Sequence, residues 1–83
     1  MVMSDMRAVV TGGASGLGLG VARHIVSCGG SVALLDMQEQ AGADAVAELG
    51  LNARFIRCDV ASETAVNEAM DQAAVAMGGI NLL

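Results

Sequence analysis

Three short apolar runs alternate along the chain with three longer stretches whose apolar positions recur at helical spacing. Ala8-Val9-Val10, beginning near Arg7, is the first run. Val32 to Leu35, flanked by Ser31 and Asp36, is the second, and Ala53 to Cys58, built on Phe55 and Ile56, is the third. None alternates strictly between apolar and polar, the pattern of strands covered on both faces. Between them, Gly16 to Cys28 repeats Leu17, Val21 and Ile25 every four residues and stops at Gly29-Gly30. Gln38 to Leu49 is Ala-rich, turns Val46 and Leu49 inward and ends at Gly50. Ser62 to Met77 gathers Val66, Met70, Ala73, Ala74 and Met77 on one face. Ser62 is the expected N-cap there, Glu63 suits the first turn, and Gly78-Gly79 terminates the helix.

The order is therefore β-α-β-α-β-α, with Ile80-Asn81-Leu82-Leu83 reading as the opening of a fourth strand. Parallel strands joined by right-handed crossovers are the common solution for such a chain, giving an α/β doubly wound sheet in the order 3-2-1-4. In that order the fourth strand covers the free edge of the first, and four residues cover it poorly. Residues 1–83 are thus expected to form one dinucleotide-binding half-domain, the N-terminal part of a longer domain. A domain of this size buries only about 60% of its unfolded surface.

Composition sharpens this picture. Hydrophobic residues make up 54% of the chain, yet Phe55 is the single aromatic. The apolar mass is aliphatic, as suits helices on a buried parallel sheet. There is no Lys, Tyr, Trp or Pro, and the four cations are Arg7, Arg23, Arg54 and Arg57. A mechanism that needs a Lys amine or a Tyr phenol cannot be completed on these residues. The net charge of −5 argues against nucleic acid and anionic membranes, which require clustered cations. Cys28 and Cys58 form no CxxC, and His24 is the lone histidine, so no metal site is visible. Two reduced, buried cysteines and a cytoplasmic location are the expectation. Met1 to Arg7 has no secretory pattern, and the longest apolar runs are far too short to span a bilayer.

The chemistry-bearing stretch is Thr11-Gly12-Gly13-Ala14-Ser15-Gly16-Leu17-Gly18, directly after the first strand. Gly12 permits the sharp exit from the strand. Gly16 leaves the opening of the helix without a side chain, so a diphosphate can approach backbone amides, and Gly18 lets the helix sit tightly on the strand. The first amides of a helix lack internal partners and carry the positive end of its dipole. Ser15 can donate a hydroxyl to the same anion. A ligand-free Gly-rich turn is the competing reading. The position between a strand and a helix of one βαβ unit favours the anion site.

Two carboxylates follow. Asp36 ends the second strand, 18 positions beyond Gly18, where an acid accepts the adenosine ribose hydroxyls of a dinucleotide and repels a 2′-phosphate. Met37, Gln38 and Glu39 follow it, with no cation, so NAD is expected over NADP. Asp59 closes the third strand in Cys58-Asp59-Val60; it can accept from the adenine amino group while Val60 packs on the ring. Helix N-capping competes for both acids. The glycine turn at its matching distance favours the ribose role for Asp36. His24, Glu63, Glu68 and Asp71 read as surface residues, and Met70 and Met77 as core filler.

TGGASGLG after a strand, LLD at the end of the second and CDV at the end of the third resemble the short-chain dehydrogenase/reductase family, over about Ala8 to Leu83. Within it, TGGASGLGLG with LLD is most similar to the NAD-dependent 3-hydroxyacyl-CoA and hydroxysteroid dehydrogenase type. The resemblance implies a Rossmann fold and hydride transfer between NAD(H) and an alcohol–ketone pair. It implies diphosphate contacts near Gly12, Ser15, Gly16, Leu17 and Gly18, with Asp36 and Met37 at the adenosine ribose and Asp59 and Val60 around adenine. It also implies an Asn-Asn-Ala-Gly-type segment after a fourth strand and a catalytic Ser, Tyr and Lys beyond. The sequence stops at Leu83 before these, so no catalytic residue is nominated and the 83 residues alone are expected to be inactive. Asn81 stands where many members carry Asp. A small-molecule substrate and a homo-oligomer are expected for the longer parent. A non-catalytic nucleotide-binding module or truncated gene product is the alternative. A methyltransferase half-domain fits less well, because Gly16 to Gly20 gives a GxGxG that leaves Gly12-Gly13 unexplained.

Overall fold

A computed structural model describes residues 6–14 and 16–79. Strand β1 (Arg7–Thr11), helix α1 (Gly16–Ser27), strand β2 (Ser31–Asp36), helix α2 (Glu39–Leu49), strand β3 (Ala53–Arg57) and helix α3 (Glu63–Met77) follow in that order. The three strands form one parallel sheet in the order β1-β2-β3. This is the 3-2-1 half of the doubly wound order, an α/β fold of Rossmann type. The expected fourth strand at Ile80–Leu83 lies outside the described residues.

The sheet separates two apolar layers. On one side Ala8, Val32, Leu34 and Ala53 are buried with Ala22 and Ile25 of α1 and Ala45 of α2. On the other, Val9, Ala33 and Leu35 are buried with Cys58 and with Ala69 and Ala73 of α3. Successive strand residues thus feed opposite layers. β2, flanked by a strand on each edge and helices on each face, holds the largest fully buried side chains, Leu34, Leu35 and Val32. This accounts for its uninterrupted apolar run.

Helix α3 begins where its sequence says. Ser62 accepts the Ala65 amide at 3.2 Å, and Gly78 closes the helix in the left-handed region at φ 72°. Arg7 Nε donates to the Gly79 carbonyl at 3.2 Å, tying the start of β1 to the end of α3. Arg23 of α1 and Glu48 of α2 form a two-pronged ion pair. The guanidinium holds the Glu48 carboxyl below its usual range, mainly through the hydrogen bond. Both groups are exposed, so the pair contributes little to stability.

Two expectations are corrected. The Leu17-Val21-Ile25 stripe does not face inward as a whole: Leu17 is 88% exposed and Val21 is exposed, while Ala22 and Ile25 are the buried residues of α1. The side of α1 on the sheet carries Gly18, Ala22 and Ile25, because the closest approach is made by a glycine and an alanine rather than by the bulkiest residues. Cys28 is exposed rather than buried, since it follows Ser27 in the turn that ends α1; Cys58 is buried, and both thiols are free. Among the described residues no helix is long and apolar enough to cross a membrane, and no group of side chains is arranged to hold a metal ion.

Helix α2 sits on β3 through Gly42. A Cβ there would run into the Phe55 ring, Cγ included, so the whole ring would have to move. Gly42→Ala is expected to destabilise the protein by about 1–3 kcal/mol through overpacking. Gly42→Ala with Phe55→Leu should recover much of this loss. Urea unfolding of the single and double variants checks both.

Candidate functional site: the C-terminal edge of the sheet

Because the strands are parallel and in register, their C-terminal ends emerge along one edge. Thr11 pairs with Leu35, and Asp36 with Arg57. The rows are continued by the Gly12 amide donating to the Leu35 carbonyl at 2.8 Å and the Cys58 amide donating to the Asp36 carbonyl at 3.0 Å. The glycine turn, Asp36-Met37 and Asp59-Val60 therefore share one margin of the molecule.

The turn from β1 into α1 has the shape its glycines permit. Gly12 (φ 64°) and Gly16 (φ 58°) both take the left-handed region, and a Cβ on either would point into open space. Gly13 is tight instead: a Cβ would come within 2.8 Å of Leu34 Cδ2 and 2.9 Å of the Val10 carbonyl. At Gly18 a Cβ would collide with the Gly12 carbonyl oxygen. The absence of a side chain at Gly18 thus lets the first turn of α1 rest on the strand exit. Residues 12–18 carry no charged side chain, so any attraction for an anion comes from amides and the helix dipole. Leu17, expected near the diphosphate, is an exposed side chain in the first turn of α1. Ser15 lies outside the described residues.

Asp36 is half-buried and held by backbone. Its Oδ1 accepts the Gln38 amide at 3.1 Å, and its Oδ2 lies 3.4 Å from the Ala14 amide, which donates to it. It does not cap α2: the N-cap position is Gln38, without a side-chain capping bond. A carboxylate offers about four lone-pair sites, so two backbone donors leave capacity for two more. The acid is fixed in orientation and still able to accept. Asp59 is not an N-cap either, because Ser62 fills that role; its Oδ1 accepts the Ala61 amide at 2.9 Å in a local turn. Met37 and Val60, the residues after each strand-end acid, are both exposed apolar side chains.

These features fit the adenosine and diphosphate half of a dinucleotide: open glycines before a helix N-terminus, a fixed carboxylate across the turn, and apolar residues beside it. One neighbour was missed by linear reading. Arg57 stands beside Asp36 through strand pairing, 21 positions away in sequence, and only the offset between β2 and β3 could have revealed it.

The sequence matches the short chain dehydrogenase family over residues 6–83. The chain belongs to the short-chain dehydrogenase family. It is 43% identical over 77 residues to momilactone A synthase of Oryza sativa subsp. japonica, covering 92% of this chain and 28% of that protein. It is 41% identical over 75 residues to human 3-hydroxyacyl-CoA dehydrogenase type-2, covering 90% of this chain and 29% of the relative. A solved structure of 3-ketoacyl-(acyl-carrier-protein) reductase from Brucella melitensis, complexed with NADH, superposes with a TM-score of 0.92 at 26% identity. That superposition covers 96% of this chain and 34% of the reductase. The chain therefore spans about 28–34% of the length of these proteins.

Gly18→Ala should push α1 off the Gly12 carbonyl and destabilise the protein by about 1–3 kcal/mol. Thermal unfolding compared with Gly20→Ala, where a Cβ meets open space, isolates the close approach from a general change in helix propensity.

Proposed function

We propose that this chain is the cofactor-binding part of a short-chain oxidoreductase and holds the adenosine and diphosphate half of NAD(H). The observation that carries this reading is the Asp36 carboxylate, fixed by the Ala14 and Gln38 amides directly across from the open glycine turn. In this reading Gly12, Ser15, Gly16, Leu17 and Gly18 surround the diphosphate at the N-terminus of α1. Asp36 accepts both adenosine ribose hydroxyls, with Met37 beside it, and Asp59 and Val60 flank the adenine. The likeness to a reductase solved with NADH supports the same assignment.

Asp36 also favours NAD over NADP, since its charge opposes a 2′-phosphate. Bound NAD(H) supplies the hydride chemistry of an alcohol–ketone pair. The residues of this chain bind and orient the cofactor, while proton transfer falls to groups outside it, for it has neither Tyr nor Lys. The parent enzyme would act on a small-molecule alcohol or ketone and assemble as a homo-oligomer.

Calorimetric titration tests the reading. NAD should bind, with Asp36→Ala weakening it by about 1.5–3 kcal/mol, the scale of a charged hydrogen bond. Unchanged NAD affinity in the variant would remove Asp36 from the site. Binding of S-adenosylmethionine in preference to NAD would replace the oxidoreductase reading with that of a methyltransferase.

A further inference from the structure

The charge beside Asp36 is set by sheet register rather than by sequence neighbours. Val32 and Leu34 of β2 and Ala53 and Phe55 of β3 line the α1–α2 side of the sheet. Asp36 and Arg57 continue those two series and pair with each other, so both project from that same side at the C-terminal margin. Neighbouring strands lie about 4.8 Å apart, a gap that the three-methylene stem of an arginine spans. Arg57 is exposed and enters no ion pair among the described residues. The acids at this margin are Asp36, paired with it and already engaged by two amides, and Asp59, exposed two positions further on and engaged by Ala61.

We propose that Arg57 is a specificity-determining residue for the 2′ position of the adenosine ribose: its guanidinium donates to a phosphate carried there and offsets part of the repulsion from Asp36. The inference rests on the dinucleotide site proposed above. Guanidinium geometry suits a phosphate, to which two N–H groups can donate at once. A 2′-hydroxyl offers no such charge and is served by Asp36 alone. Discrimination between NAD and NADP is then narrower than the carboxylate by itself would set, and the two side chains act in opposite directions on one ligand atom group.

The test is the ratio of NADP to NAD dissociation constants in the unaltered protein, Arg57→Gln, Arg57→Lys, and Arg57→Gln combined with Asp36→Ala, with Asp36→Ala alone as its reference. Arg57→Gln should weaken NADP relative to NAD by about tenfold, the low end for a charged hydrogen bond, and Arg57→Lys should restore part of it. The Asp36→Ala background removes the opposing charge, so the loss of NADP affinity on Arg57→Gln should be readable there even where NADP is weak in the unaltered protein. An unchanged ratio in both backgrounds, or a parallel loss of NAD and NADP, overturns the role of Arg57 and leaves the dinucleotide site standing. NADP too weak to measure in both backgrounds while NAD binds overturns it as well. Failure of the unaltered protein to bind NAD overturns the proposed site, and this inference with it.

Discussion

The contact between α1 and the strand exit, where Gly18 rests against the Gly12 carbonyl, is the constraint on which the rest of the site depends. A side chain at position 18 would lift the helix from the sheet. With none there, the N-terminus of α1 is held against the end of β1. Its small-residue side, Gly18 and Ala22, then meets the sheet while Leu17 is turned to solvent. The same close approach fixes the path of Gly12 to Ala14 above Leu34, which Gly13 can follow only because it too lacks a Cβ. The Ala14 amide is left pointing at Asp36. One steric condition thus sets the direction of the helix dipole, the openness of the turn and the orientation of the carboxylate across it.

Most of this was legible in the sequence, for physical reasons that differ by element. β2 announces itself because a strand walled in by two strands and two helix layers has no room for polar alternation. The start of α3 is legible because Ser62 makes its capping bond locally, with a partner three residues away. Gly12, Asp36 and Asp59 fall at one edge because each ends or follows a strand of a parallel sheet, and that follows from the order of elements alone. Hydrophobic periodicity failed on α1, where spacing picks out Leu17, Val21 and Ile25 but close approach selects the smallest side chains. It also gave no information on Cys28, whose exposure depends on where α1 ends. Arg57 was invisible for a third reason: its proximity to Asp36 is created by the offset between two strands, which no local pattern encodes.

The two strand-end acids illustrate how a shared sequence position acquires different local structure. Both were open to reading as helix caps. Asp36 is gripped by amides from two different segments, so its orientation reports the joint placement of the glycine turn and the β2–α2 connection. Asp59 is engaged by Ala61 alone, within its own turn. The first therefore couples distant parts of the fold and the second does not, which makes Asp36 the acid whose orientation the fold itself determines.

Net charge places a further demand on this arrangement. The chain carries −5, and an anionic ligand approaching it gains nothing from long-range attraction. At physiological ionic strength such fields fade over about 8 Å, so recognition must be made at contact. The glycine turn has no cation: between Thr11 and Ala22 the sequence holds no charged side chain. What it offers is a set of amides held in place by backbone geometry, together with the aligned peptide dipoles of α1. Groups of this kind need no ordering when a ligand arrives and do not change with pH. A flexible cationic side chain at the same place would have to be ordered on binding and could settle on a nearby acid instead. The proposed roles divide the same way: the glycine turn is free of charge, while the carboxylate of Asp36 and the guanidinium of Arg57 stand together at the next two strand ends.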